Sequence, residues 1–77
     1  MKVVIKAPLM ADKIKELFDN KVIDDLSFTF LEKQAMEMSF LVEGDNLENV
    51  DVVTLVKNTI KNTEFGRGIY FSVNELN

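Results

Sequence analysis

The side chains that most often do catalytic chemistry are missing from this sequence, which contains neither histidine nor cysteine. Without cysteine there is no thiolate nucleophile, zinc–thiolate site or disulfide, and without histidine the commonest general base is gone. Lysine can act as a base or a nucleophile when its pKa is lowered, and Lys2 and Lys6 share one face of the first predicted strand. A lysine on an exposed sheet is normally solvated and unreactive. We therefore expect a non-enzymatic protein without a catalytic residue, metal or cofactor.

The segment Gly66-Arg67-Gly68 is the second place where the sequence could do chemistry, by binding an anion. Backbone N–H groups and one guanidinium can converge on a phosphate, and Lys2 and Lys6 could add positive charge. The alternative is that the glycines turn the chain from a helix into a strand and that Arg67 is solvated. A lone Gly-X-Gly is a weak signal, so the turn is the favoured interpretation.

Acidic side chains are concentrated in two places. Residues 43–51 contain four acids, but they lack the alternating oxygen ligands, internal glycine and terminal glutamate of a calcium loop. Acids near the start of a helix interact favourably with its dipole. Asp24 and Asp25, at the start of a predicted edge strand, would discourage its pairing with other sheets. The sequence therefore predicts no metal site.

The composition is that of a folded protein, with 47% apolar and 29% charged residues. A length of 77 residues predicts a single domain over 1–77. The net charge of −4 repels phosphate backbones, so nucleic acid is not the expected partner. No apolar run approaches the roughly 20 residues of a transmembrane helix, and the N-terminus has no secretory signal. Together with the lack of cysteine, this favours a cytoplasmic protein.

Six elements are predicted from the spacing of apolar residues. Residues 1–7 form a β-branched strand that stops at Pro8. A helix follows within residues 9–22. Residues 24–32 and 35–43 alternate with period two and form a tight hairpin around Lys33-Gln34. Asn49 is predicted to cap a second helix, and Gly66 ends it before a closing strand. The apolar stripes are Met10, Ile14, Leu17 and Phe18 in the first helix, and Val53, Val56 and Ile60 in the second.

The order strand, helix, strand, strand, helix, strand is typical of a ferredoxin-like βαββαβ two-layer sandwich, an α+β fold. It predicts a four-stranded antiparallel sheet with the first and third strands central and both helices on one face. The helix-covered face is predicted to hold Val3, Ile5, Leu26, Phe28, Phe30, Met36, Met38, Phe40, Ile69 and Phe71. The open face is predicted to hold Lys2, Val4, Lys6, Ser27, Thr29, Leu31, Glu37, Ser39, Leu41, Tyr70, Ser72 and Asn74.

The stretch from Arg67 to Phe71 is similar to the base-stacking strand of RNA-recognition domains, with a basic residue, a glycine and aromatic residues. Those domains stack bases on aromatic side chains of two central strands. Here the predicted central strands carry no aromatic residue on the open face, and only Tyr70, on an edge, could stack. A weak nucleic-acid or nucleotide binder that uses Lys2, Lys6, Arg67 and Tyr70 is therefore the alternative hypothesis.

The last predicted strand supports a different function. Its core, "GIYFSV", holds no charge, has high β-propensity and should lie at the edge of the sheet. The open face adds more apolar surface than a solvated sheet requires. Two such edges or faces could bury this surface in a C2 dimer. We expect a homodimeric interaction module that binds a protein partner through the open face or the last strand. The residues predicted to form this interaction face are Val4, Leu31, Leu41, Tyr70 and Ser72.

Overall fold

The computed structural model describes residues 1–76, which form an α+β protein with one five-stranded antiparallel sheet and two α-helices. The strands are β1 (Lys2–Lys6), β2 (Lys21–Ile23), β3 (Leu26–Gln34), β4 (Glu37–Glu43) and β5 (Ser72–Leu76), and the helices are α1 (Ala11–Phe18) and α2 (Val52–Lys61). Single-turn 3₁₀ helices at Leu47–Asn49 and Phe65–Arg67 lie in the connections. The strand order is β2-β3-β4-β1-β5. Within residues 1–76, no helix is long and apolar enough to cross a membrane.

Strand β2 is the main departure from the prediction, which had four strands. The chain leaves α1 after Phe18, and Asn20 has a φ of 58°. Asp24 and Asp25 then form a two-residue turn into β3, with φ values of 51° and 64°. Positive φ at both central residues is what the tightest hairpin turns require, and Asp tolerates it. A three-residue strand has too few positions to show a period of two, so alternation could not reveal β2.

The rest of the sheet follows the predicted plan more closely. Strands β1 and β4, the first and third of the predicted strands, pair with each other in the interior of the sheet. The arrangement is roughly compatible with a ferredoxin-like sandwich. The number of strands and the topology differ from it because β2 adds an edge beyond β3.

Both helices bury their apolar stripes against the same face of the sheet. The ring of Phe18 from α1 lies 5.2 Å from that of Phe28 and 5.9 Å from that of Phe40, centroid to centroid. These separations are in the range where aromatic rings attract each other. The buried apolar residues are Val3, Ile5, Ala7, Ile14, Phe18, Leu26, Phe28, Met38, Phe40, Val42, Val52, Val56, Ile60 and Val73.

The turn between β3 and β4 lies two residues later than predicted. Ala35, with a φ of 55°, and Met36 form the turn between the paired residues Gln34 and Glu37. The predicted turn at Lys33-Gln34 is part of β3 instead. Met36 was predicted in the core, and this was wrong, because a turn residue projects beyond the end of the sheet, where 45% of its surface is exposed.

Helix α1 begins later than its apolar pattern suggests. Met10 precedes the first helical residue, has a φ of 62° and is exposed. It therefore does not join the buried stripe as predicted, whereas Ile14 and Phe18 do. Leu17 is partly buried and packs against the core.

Helix α2 is capped by Asp51, and the prediction that Asn49 caps it was wrong. The carboxylate of Asp51 accepts hydrogen bonds from the backbone N–H of Thr54 at 3.1 Å and from its hydroxyl at 2.7 Å. Asn49 ends the preceding 3₁₀ helix, where its side chain donates to Asn46 Oδ1 at 2.7 Å. The helix starts two residues later than predicted. Val52 is buried on the same face as Val56 and Ile60, four and eight residues further on, whereas Val53 is only partly buried.

Removing this cap is expected to lower the melting temperature in a pH-dependent way. Hydrogen bonds from the Thr54 hydroxyl and then from its backbone N–H hold the pKa of Asp51 below its ordinary value of 3.8. A carboxyl with a lowered pKa stabilises the fold when it is ionised, so this contribution is complete above pH 3.8 and is lost as the pH falls through the folded-state pKa. Thermal unfolding of Asp51→Ala should show a deficit at pH 7 that disappears in strong acid. A deficit that stayed constant with pH would contradict this role, and Asp45→Ala serves as an exposed-acid control.

Candidate interaction surface

In the part of the chain that the structure describes, neither helix covers the other face of the sheet, although Ser39 at its centre is buried among its neighbours. Lys2 pairs with Leu41 of β4 on one side and with Leu76 of β5 on the other. Val4 lies in the next row, beside Asn74. Val4 and Leu41 are therefore diagonal neighbours on adjacent strands, and both are half-buried. The two residues form an apolar strip that Leu76 extends to the edge of the sheet.

One edge of the sheet is formed by the five residues of β5. Among residues 1–76, β5 pairs with β1 alone, so the outer side of its five residues is unpaired. Glu75 is its one charged residue. The opposite edge consists of the three residues of β2, followed directly by Asp24 and Asp25, and of residues 29–34 of β3, which carry the charged side chains of Glu32 and Lys33. Charges and shortness at an edge discourage pairing with another chain, so β5 is the less protected edge.

Tyr70 lies in the loop before β5, although alternation predicted it within the last strand. The register of β1 with β5 ends at Lys6 and Ser72, and in that register Tyr70 would pair with Pro8. Proline has no N–H to donate, so the ladder cannot continue. The Tyr70 side chain is 91% exposed. It lines an apolar groove of about 340 Å³ together with Lys6, Pro8, Met36, Phe71 and Ser72.

Leu31 lies on the strand farthest from β5 among the five predicted interaction residues. It is an extra residue in β3, between the pairs Phe30–Phe40 and Glu32–Ser39. Such a β-bulge interrupts the alternation and bends the strand. Leu31 is exposed, but β4 and β1 lie between its strand and β5. The five predicted residues therefore divide into a neighbouring pair, Val4 and Leu41, a second pair at the groove, Tyr70 and Ser72, and Leu31.

One apolar region was not predicted from the sequence. Beyond the ends of β1 and β4, Leu9 is 64% exposed, Met10 44% and Met36 45%. Pro8 lines both the groove that contains Tyr70 and a neighbouring groove that contains Met10. We call this region, comprising Pro8, Leu9, Met10, Met36 and Tyr70, the apolar end. The signal that could have located it is Pro8, which ends β1 and leaves the next two residues outside both sheet and helix.

The residues predicted to bind an anion do not converge. Lys2 and Lys6 lie at opposite ends of β1, about 13 Å apart at the rise of an extended strand. The N–H of Gly66 donates to Thr63 Oγ1 at 2.9 Å. The N–H of Gly68 donates to the carbonyl of Phe65 at 3.3 Å. The glycine N–H groups thus serve the loop itself, and the guanidinium of Arg67 is the group left for a ligand.

Within residues 1–76 there is no group of three or more carboxylates placed to hold a metal ion. Asp25, Glu43 and Asp45 line a shallow groove with Val22, at the end of the sheet opposite the apolar end. The two ends of the sheet therefore differ in both polarity and charge.

No family model, curated protein or solved structure matches this chain.

The structure offers an open sheet face with an apolar strip, an unpaired edge strand and an exposed apolar end. Surfaces of this kind bind other protein segments, by strand addition at an edge or by packing of apolar side chains.

Proposed function

We propose that this chain is a small non-enzymatic interaction domain of the cytoplasm, built on a ferredoxin-like frame, which forms a homodimer through β5 and the adjoining open face. The observation that carries the proposal is the outer side of β5, which pairs with no other strand of residues 1–76 over its five residues and joins an apolar strip. Small domains bury a modest share of their surface when folding alone, and a second copy can supply the missing contacts.

Antiparallel pairing of β5 with β5 of a second copy is electrostatically acceptable. With the two-fold axis at Asn74, Ser72 would lie opposite Leu76 of the second copy and Val73 opposite Glu75 of the second copy. No two like charges would then face each other across the junction, which is the arrangement that destabilises strand pairs. The two sheets would join into one continuous sheet, as in other cases of strand addition.

The open face supports the same association. Leu76 and Leu41 flank Lys2 in one row, and Val4 lies beside Asn74 in the next. An extended sheet would bring the apolar strips of the two copies to either side of the two-fold axis. Leu31 is too far from β5 to take part in this arrangement.

The dimer can be tested by sedimentation equilibrium. We expect reversible dimerisation with a Kd of about 10–100 µM, since five paired residues per copy make a small interface. Asn74→Lys would place two ammonium groups opposite each other at the axis and should abolish the dimer. Asn58→Lys, on the exposed side of α2, adds the same charge elsewhere and should leave the Kd unchanged.

A second variant distinguishes a dimer that pairs through the β5 edge from one that packs through the open faces of the sheets. If Thr29→Lys, beside Leu41 on the open face, weakens the dimer and Asn74→Lys does not, the two copies pack face to face rather than edge to edge. A monomer at every concentration would remove the homodimer from the proposal.

The alternative of a weak nucleic-acid or nucleotide binder finds less support, because Lys2 and Lys6 are separated along β1. It retains Arg67 beside the exposed Tyr70, which border a common shallow groove. That hypothesis requires salt-dependent binding that weakens in Arg67→Ala.

A further inference from the structure

The apolar end is bordered by basic side chains, although the protein as a whole is acidic. The three shallow grooves that meet at Pro8 and Tyr70 are lined by four basic residues and one acidic residue. The basic residues are Lys6, Lys13, Lys33 and Arg67, and the acidic one is Asp12. Glu37, which pairs with Lys6 across the strands, offsets part of this charge. The net charge of the chain is −4, so the acids lie predominantly elsewhere.

We propose that the apolar end docks an acidic amphipathic segment of another protein, whose apolar side chains lie against Met36, Tyr70 and Pro8 and whose carboxylates lie among the surrounding lysines. The inference relies on the proposed function only in treating the chain as an interaction domain. It concerns a different surface from the β5 edge and a different partner from a second copy.

The exposed apolar side chains of the apolar end are of the types that bind amphipathic segments. Met10 and Met36 have unbranched, flexible side chains that adapt to differently shaped partners, and methionine is common on surfaces that bind amphipathic helices. Tyr70 offers a large rigid contact with a polar tip, a type of residue that often dominates binding energy at interfaces. Since four large apolar side chains are exposed within one region, the patch exceeds the scattered exposure that is ordinary in monomers.

The basic side chains around the apolar end favour an acidic binding partner over the other possible ligands. A partner with carboxylates beside its apolar residues would be attracted to the lysines, whereas a basic partner would be repelled. An anionic bilayer would meet the same lysines but would also be repelled by the net charge of −4. A second copy could offer its own acidic groove, but that groove presents one exposed apolar side chain, Val22, against several at the apolar end.

The inference can be tested with two synthetic 14-residue peptides that carry leucine at positions i, i+3, i+4 and i+7. One peptide carries glutamate and the other lysine at the remaining positions. Tyr70 is the only tyrosine and the chain has no tryptophan, so its fluorescence reports directly from the apolar end. We expect the glutamate peptide to bind about tenfold more tightly than the lysine peptide at low salt, with a difference that shrinks as salt is added.

Variants locate the binding to the apolar end. Met36→Ser and Lys33→Glu should each weaken binding of the glutamate peptide by about tenfold, the first by removing apolar contact and the second by reversing a charge. The matched controls are Val22→Ser, which also replaces an exposed apolar side chain by serine, and Lys21→Glu, which reverses a lysine charge in the same way. Both positions are exposed and lie away from the apolar end, and neither substitution should alter the affinity.

Three results would overturn the inference. Equal affinity for the two peptides would remove the role of charge. Binding to vesicles of anionic lipid without binding to the glutamate peptide would assign the apolar end to a membrane surface. Growth of assemblies beyond the dimer without peptide, abolished by Met36→Ser, would assign it to a second copy. If sedimentation shows a monomer but the glutamate peptide binds as expected, the homodimer fails and the acidic partner stands.

Discussion

Replacing Phe18 by alanine is expected to lower the free energy of unfolding by about 3 to 5 kcal/mol, which is typical when a buried phenylalanine is truncated. Phe18 has no exposed surface, and its ring contacts both Phe28 of β3 and Phe40 of β4. It is therefore the side chain through which α1 is anchored to two strands. Truncation would leave a cavity between the helix and the sheet, because the surrounding backbone can close it only in part.

This loss is large for a chain of this length. A 77-residue protein has a total stability of roughly 4 to 12 kcal/mol at the usual value per residue. Urea unfolding followed by circular dichroism would measure the change, and a part of the Phe18→Ala protein should already be unfolded without denaturant. Tyr70→Ala also removes an aromatic ring, but from an exposed site, and should change the stability by less than about 0.5 kcal/mol. Similar losses in the two variants would show that Phe18 is not in the core.

Replacing Gly66 by alanine is expected to destabilise the protein by about 2 to 4 kcal/mol, because a methyl group there collides with backbone atoms that cannot move independently. A Cβ on Gly66 would overlap the carbonyl oxygen of Ile60 and lie 2.6 Å from its carbonyl carbon and 2.7 Å from Thr63 Oγ1. The same Thr63 hydroxyl accepts a hydrogen bond from Gly66 N–H and donates one to the Ile60 carbonyl at 2.6 Å. The close approach ties the end of α2 to the turn that leads into β5.

Gly68 provides the matched control for this prediction. It lies two residues further along the same turn, and a Cβ there would have no atom within 4 Å. Its φ of −111° is open to any residue. Gly68→Ala should therefore leave the unfolding midpoint in urea unchanged or raise it slightly, since alanine reduces the freedom of the unfolded chain. Equal effects of the two substitutions would mean that the turn rearranges without cost and that Gly66 is not required for close packing.

The parts of the fold that could be predicted are those set by long apolar patterns. The helical spacing of Ile14 and Phe18 gave the buried side of α1, and that of Val56 and Ile60 gave the buried side of α2. Alternation around Phe28 in β3 and around Met38 and Phe40 in β4 placed those strands correctly on the core. In each case the period repeats often enough to distinguish a helix from a strand.

The parts that could not be predicted depend on turn geometry, strand register and single side-chain contacts, which the apolar pattern does not show. Strand β2 is too short to show a period, and it exists because Asp24 and Asp25 adopt a tight turn that lets it pair with β3. The bulge at Leu31 depends on the register between β3 and β4, which a single strand does not encode. Helix α2 begins at Val52 because the Asp51 side chain reaches Thr54, and Asn49 two residues earlier is an equally good cap by residue type.

The candidate interaction surface, like the fold, could be predicted only in part. Alternation placed Val4, Leu41 and Ser72 away from the helices, where the structure also has them. The apolar end was not predicted, because it arises where Pro8 stops β1 and where the β3–β4 turn brings Met36 beside it. Ala7 N–H donates to the carbonyl of Met36 at 3.0 Å, a contact between residues far apart in the sequence.

The most direct test of the account is the reactivity of single cysteines placed along β5. The chain has no cysteine of its own, so Ser72→Cys, Val73→Cys and Asn74→Cys each supply one thiol. In dilute protein, the account predicts rapid labelling at 72 and 74, which are exposed, and slow labelling at 73, which is buried beneath α2. Labelling at 74 should slow as the protein concentration rises and the dimer forms. Rapid labelling at 73 with protection at 72 and 74 in dilute protein would mean that the helices cover the other face of the sheet, and it would contradict the account.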